Sequence, residues 1–342
     1  MRILYVGDCS PLSTSGFRAA ALRRLGHEVE TLDISTSRVV GSGRIWNKVH
    51  FLSGYKLLQS SVQRMLRDFS TLVRKFDVAW VDSGELLGLD AVLQLKQISS
   101  KVVLYNHDDP TGPRDWQRFA SLRTALPAYD LCCVVRHENV DEFRNLGAPH
   151  VLRVWRSYDE TGHSPFLSLD DIPSQFRSEV SFVGAMIPGE GRDEFMVGLI
   201  RRGVPVSIWG SNWRRSRFWS ELEHCYRGSK MLGREYVAAI QGAKISIGLL
   251  SKGNRDLHTT RSLEIPYIGS TFCAERTREH IELFKDGVEA TFWSSVDECA
   301  DVCLELLGDE NRRRKIANAG AVAVRQLGVG NEDICRNVLQ AG

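Results

Sequence analysis

Alternation of strand and helix, run through twice, is the feature that most constrains this chain. Short apolar runs at 3–6, 29–32, 78–81, 102–105, 131–135 and 151–154 are separated by helical patterns, the first at 17–25 and closed by Gly26. The series restarts at 180–183 and continues through strands at 206–209, 245–250, 271–274 and 290–293. Helices are expected between them at 193–202, 216–226, 234–241, 259–265, 277–284, 296–307 and 310–325. Strands joined by crossover helices run parallel, and parallel sheets are covered on both faces. Each series opens on a strand ending in Val-Gly, YVGD at 5–8 and FVGA at 182–185. The predicted class is therefore α/β, with two tandem Rossmann-like domains facing across a cleft and ligands at the carboxyl ends of the strands.

The stretch 158–177 breaks the alternation. It contains Gly162, Pro165, Pro173 and several Ser and Asp, and reads as a linker. It separates an expected domain 1–160 from a second at 178–327, and leaves 328–342 as a C-terminal helix expected to pack back on the first. The length of 342 residues suits two such domains. No apolar run approaches the ~18–20 residues that span a bilayer. The opening MRILYVGD reads as a buried strand, not a signal peptide. A net charge of +2 argues against duplex DNA, so no nucleic acid partner is expected. None of the eight cysteines has CxxC spacing. Cys299 and Cys303 are four apart on an expected helix, but no His stands at matching spacing. Reduced buried thiols in a cytoplasmic protein are the expectation, with no metal centre.

Several α/β chemistries lack their signatures. Gly7 is followed by DCSPLSTSG, without GxGxxG; Gly184, Gly189 and Gly191 have the wrong spacing for that motif or a P-loop; neither GxSxG nor HExxH occurs. Three clusters remain at strand ends. Residues 184–193 form a Gly-rich loop ending in Arg192 and opening a helix, which suits a diphosphate, although an ordinary strand-to-helix turn has the same composition. GLLSKGNRDLHTTRSLEIPYIGS packs Lys252, Arg255, Asp256, His258, Arg261 and Glu264 into 13 positions. A carboxylate such as Glu264 can accept two ribose hydroxyl hydrogen bonds while Lys or Arg neutralises phosphate. A solvated loop would show the same count, but the apolar IPYIG places the following helix in the core. In the first half, KVVLY runs into NHDDP, putting His107, Asp108 and Asp109 at a strand end. His107 suits a hydrogen bond to a substrate hydroxyl or a proton shuttle; turn chemistry accounts for the same residues.

Together these segments resemble a GT-B glycosyltransferase of the group-1 type, and within it the spore-maturation-protein-like subgroup. ILYVG with LGHEV resembles the amino-terminal sheet, and SFVGAMIPGEGR followed by VSIWGSNW resembles the subgroup's Phe-Val-Gly…Arg and Gly-x-x-Trp pattern. RSLEIPYIGSTFCAE resembles the donor-site helix, and IELFKDGVEATFWSSVDECADVCLELLGDENRRRKIANAG the carboxy-terminal tail. The resemblance implies that Glu264 is the second Glu of an E-x7-E motif and holds the donor ribose. Asp256 stands eight residues earlier, where the first Glu belongs, and with His107 forms the implied catalytic pair. Gly184, Arg192, Lys252 and Arg261 would hold the diphosphate, and Met231 and Gly233 the nucleotide base. Asp108, Gly16 and Arg18 would fall on the acceptor side. The implied reaction moves a sugar from a UDP-, GDP- or dTDP-sugar to a glycan, lipid-linked, small-molecule or protein acceptor, with retention and without a metal or further cofactor. A nucleotide-sugar 2-epimerase, a phosphorylase or a non-catalytic binding module are the alternatives on this architecture.

Residues 38–75 hold eight Lys or Arg and one acid, Asp68. An expected helix from about 54 to 75 has an apolar stripe of Tyr55, Leu58, Val62, Met65, Phe69, Leu72 and Phe76, opposite Lys56, Arg64, Arg67 and Arg74. A solvated basic face is the plainer reading. An anionic acceptor, or peripheral contact with an anionic membrane at its inner face, is the alternative. WRRSRFW at 213–219 is a second aromatic-basic cluster, equally readable as a helix start with Trp in the core.

Overall fold

The computed structural model describes residues 1–34, 44–70, 75–229 and 231–342. The expected Leu72, Arg74 and the stretch 38–43 of the basic segment lie outside them. The chain divides into two compact units: Met1–Trp155, Gly253–Arg255 and Asn331–Gly342 form the first, and Arg156–Lys252 and Asp256–Gly330 the second.

The first unit is built on β1 (Arg2–Gly7), β2 (Glu28–Asp33), β3 (Phe76–Asp82), β4 (Ser99–Asn106), β5 (Leu131–Val134) and β6 (Val151–Arg153). Their order is β2-β1-β3-β4-β5-β6, all parallel. Side chains alternate between two helix-covered faces, as the adjacent Cys132 and Cys133 show by entering different cores. Helix Asn331–Ala341 places Ile334, Cys335 and Val338 in the core that also receives Ala21 and Leu22 of helix Thr14–Arg24.

The second unit contains β7 (Ser178–Val183), β8 (Val206–Trp209), β9 (Tyr226–Gly228), β10 (Ala243–Gly248), β11 (Thr271–Glu275) and β12 (Thr291–Trp293). The parallel order β12-β11-β10-β7-β8-β9 is that of a dinucleotide-binding sheet read from its far edge. The direction in which successive strands are added reverses between β1 and β3 in one sheet and between β7 and β10 in the other. Those switch points are where an α/β sheet opens a crevice for a ligand.

Some expected elements differ. The helix foreseen over 54–75 is interrupted: helix Arg44–Leu52 precedes it and helix Gln59–Ser70 follows. Gly54 (φ +60°) and Tyr55 (φ +59°) break the run, and Gly54 sits so close to Gln117 that a Cβ would lie 2.4 Å from its carbonyl oxygen. The helix foreseen over 216–226 stops early, at Trp219–Leu222, and the chain extends into the short edge strand β9. Residues 158–177 belong to the second unit. There Tyr158 stacks on Tyr267 at 3.9 Å, and Phe166 exchanges two backbone hydrogen bonds with the Gln241 side chain.

Candidate functional site

At the switch point of the second sheet, β7 ends at Val183 and the loop beyond it returns through Gly191 (φ +68°) into helix Arg192–Arg201. Arg192, the first residue of that helix, crosses the switch point. Its guanidinium donates to Ala185 O after β7 (3.0 Å) and to Leu250 O after β10 (2.9 Å), and pairs with Glu190 at 2.9 Å. Burial, then the nearby positive charge of Arg261, draw Arg192 down to about 10 despite Glu190. Arg261 therefore acts on the Arg192 guanidinium in one direction, and the carboxylates of Glu190 and Asp256 in the other. The Nε–H groups of Arg192 and Arg261 are both buried and meet no acceptor among the described residues. Gly184 is committed differently: its N–H donates to Trp209 O and its carbonyl accepts from Trp213 Nε1, each at 2.8 Å. The FVGA and GSNW segments meet there, and Trp213 is a core residue.

Helix Arg261–Ile268 carries Glu264 on its first turns, 6% exposed. One carboxylate oxygen accepts from the Tyr236 hydroxyl, and the other lies 3.7 Å from His163 Nε2. His163 Nδ1 accepts the Asp159 amide at 2.9 Å, which puts the ring proton on Nε2, toward Glu264. Burial and then Glu264 raise Tyr236 well above its usual range, so it stays a neutral donor; its hydroxyl also meets Arg261. Tyr236 is on helix Gly233–Gln241, which starts at Gly233 directly after Met231 and Leu232. Asp256 is buried and accepts from Arg156 Nη2 at 3.0 Å, while Arg156 Nε–H also meets no acceptor among the described residues. Lys252 is exposed at the start of the short turn Lys252–Asn254.

A second layer fixes this loop. The Arg156 amide donates to His258 Nε2 (3.2 Å), so His258 Nδ1–H faces Glu279 at 2.5 Å. Ser262, in the first turn of helix Arg261–Ile268, lies 2.8 Å from His280 Nε2, and His280 Nδ1 lies 2.6 Å from Glu275 O. Burial, with a smaller push from His258, lowers His280 to about 4 and keeps it neutral. Sequence reasoning missed Arg156, His163, Tyr236, Glu279 and His280. It also left Cys273 unconnected to Cys299 and Cys303, whose sulfurs it joins. A groove of about 1260 Å3 opens at the opposite, amino-terminal ends of these strands, beside Ser178, Val206 and Lys244, and none of the candidate residues lines it.

The switch point of the first sheet is closed by a buried ion pair. Arg18 Nε donates to Asp82 Oδ2 at 2.7 Å, both side chains being 1% exposed, and its guanidinium lies 4.0 Å from the Tyr105 ring centre. Arg18 is thus an internal counterion, not a residue open to an acceptor. Gly16 lies in helix Thr14–Arg24, where its N–H donates to Ser13 Oγ and a Cβ would fall 2.0 Å from Ser10 O. The Tyr5 hydroxyl also reaches Asp82 Oδ2 (2.7 Å), and the other oxygen faces His107 Nδ1 at 3.9 Å. Burial raises the Asp82 carboxyl, but Arg18, His107 and the hydrogen bonds from Arg18 and Tyr5 overcome it and hold it below its usual value. Asp108 meets Ser83 Oγ at 3.4 Å. Asp109 is bound by Arg255 through Nε (2.7 Å) and Nη2 (2.6 Å), a fork that makes it a structural anchor.

Two doubly wound sheets in this order define a two-domain α/β protein with the GT-B glycosyltransferase fold, and solved structures agree over the full length. Sucrose-phosphate synthase from Thermosynechococcus elongatus superposes with a TM-score of 0.72 at 11% identity, covering 100% of this chain and 98% of that one. HepE of Anabaena in complex with UDP gives 0.66 at 11% identity, with 100% and 99% covered. An α,α-trehalose-phosphate synthase (UDP-forming) from Burkholderia xenovorans gives 0.67 at 12%, with 99% of each chain covered. Residues 192–327 match the family described as "Glycosyl transferase-like". No curated protein sequence matches the chain. Among the described residues, no helix is long and apolar enough to cross a membrane.

Proposed function

We propose that this protein transfers a sugar from a UDP-sugar to an acceptor, retaining the anomeric configuration, and that it stands near the spore-maturation-protein-like subgroup. The observation that carries the reading is that Arg192, itself buried, and Arg261 stand in each other's field at the second switch point, with both Nε–H groups buried and lacking an acceptor among the described residues. Glycosyl transfer expels a nucleoside diphosphate, so guanidinium N–H donors fixed where negative charge develops lower the barrier. Glu264, oriented by Tyr236 and His163, keeps lone pairs for the ribose hydroxyls. Met231 and Gly233 are assigned to the base, and Lys252 adds charge at the diphosphate. Asp256 acts as a positioning residue that holds Arg156, and His107 is assigned to the transferred sugar. UDP is preferred because HepE of Anabaena was solved with UDP.

The direct test is release of UDP from a panel of UDP-sugars, with and without candidate acceptors. Acceptor-dependent release that is lost in Arg261→Met supports the proposal. Sugar conversion without any acceptor would instead reveal an epimerase. Nucleotide binding without consumption of any sugar would leave a binding module.

We further propose that the first unit meets an anionic lipid surface. Helix Arg44–Leu52 exposes Trp46 (63%) and Leu52 (58%) beside Lys48, and Leu57, Lys56, Arg64 and Arg67 are also exposed. Aromatic and aliphatic groups among cations suit a headgroup boundary. Co-sedimentation with phosphatidylglycerol vesicles but not phosphatidylcholine vesicles, abolished by Trp46→Glu with Leu52→Glu, is the expected outcome. Equal behaviour on both vesicle types contradicts it.

A further inference from the structure

The core of the second unit holds a group of nucleophilic side chains that the proposed transfer does not use. Cys273 lies in the middle of β11, and Cys299 and Cys303 stand one turn apart on helix Val296–Gly308. All three are fully buried, and their sulfur atoms lie within 4.8 Å of one another. Thr291 is the register partner of Cys273 on β12, and its hydroxyl donates to Phe272 O at 3.4 Å. Two residues along, Trp293 points to the same face by strand alternation and belongs to the same core cluster as the three cysteines. Its indole N–H is buried and has no acceptor among the described residues.

We propose that Cys273, Cys299 and Cys303 form a binding site for one thiophilic d10 cation, Zn2+ or Cu+. A metal–sulfur bond of about 2.3 Å sets sulfurs about 3.8–4.0 Å apart in a tetrahedral or trigonal site. The observed triangle reaches that size by movements of less than about 1 Å. A donor set made only of sulfur selects soft cations over Mg2+ or Ca2+. Three thiolates on one such cation leave net negative charge in the core. The buried Trp293 N–H offers a donor in the same core cluster. Loading replaces the thiol protons with the cation and releases them to solvent, so affinity falls as pH falls. The bound cation would tie helix Val296–Gly308 to β11, the strand that directly follows helix Arg261–Ile268.

The test uses the full chain, freed of metal by unfolding in chelator and refolded with Zn2+, with Cu+ under anaerobic conditions, or with no metal. About one equivalent retained per chain after desalting, with a higher unfolding temperature, is expected for the preferred cation; the two arms identify which it is. Co2+ should give sulfur-to-cobalt charge-transfer absorption. Cys303→Ser should lose cation and absorption together, and Cys225→Ser, at a cysteine outside the cluster, should retain both. If the serine variant of Cys303 does not refold, X-ray absorption of the loaded wild type decides: a sulfur shell at about 2.3 Å is expected, and a shell of nitrogen or oxygen alone overturns the proposal. Retention of neither cation by refolded wild type, or equal retention by the Cys225 and Cys303 variants, overturns the proposal in favour of three packed thiols.

Discussion

Arg192 remains a cation at neutral pH even though burial and Arg261 pull it down to about 10. In the proposed function the two guanidinium groups give affinity for diphosphate without distinguishing nucleosides, and Glu264 supplies that distinction. We expect Glu264→Gln to weaken UDP binding by about 10- to 100-fold, the worth of one or two charge-assisted hydrogen bonds, while inorganic diphosphate binds as before. Competition between the two ligands measures this directly. In the first unit, Asp82→Asn preserves shape but leaves Arg18 buried without a counterion. Removing one partner of a buried pair costs about 3–5 kcal/mol, so urea unfolding should show a loss of that order.

At the scale of elements, helix Arg278–Leu283 matters more than its length suggests, because Glu279 and His280 pin the loop that carries Asp256 and Arg261. His280 titrates near 4 in the fold and near its ordinary 6.5 when unfolded. Between those values the unfolded chain binds a proton that the folded chain refuses. Stability is therefore full above about 6.5 and is lost as pH falls toward 4, by about 3 kcal/mol at about 1.4 kcal/mol per unit. His280→Gln should flatten that slope in unfolding measured from pH 7 to pH 4.5. Long apolar runs made the order of strands legible, and with it the placement of Gly184, Arg192 and Glu264 at strand ends. The rest depended on tertiary contacts. The break at Gly54 and Tyr55 is set by close packing against Gln117, not by a local proline. β9 is three residues long and carries no apolar alternation. Arg156, His163 and Tyr236 reach Asp256 and Glu264 from segments that no sequence spacing connects, and Cys273 stands 26 residues before Cys299.

Over the whole molecule, the same construction appears twice with opposite chemistry. At the first switch point a buried carboxylate, Asp82, is neutralised by Arg18 and faces His107; at the second, Arg192 stands in the field of Arg261 with Glu190 and Asp256 opposing it. On the proposed reading an anion completes the second arrangement. Chain ends do not follow this division, since Asn331–Gly342 returns to the first unit. On the proposed reading, the net charge of +2 says little about function, and the guanidinium groups at the second switch point carry it. Isothermal titration of UDP into the full chain, at low and moderate salt, tests that claim most directly. One molecule of UDP should bind per chain, with affinity that falls as salt rises and drops by at least about tenfold in Arg192→Met and in Arg261→Met. Wild-type protein that binds UDP no better than the two variants would contradict it.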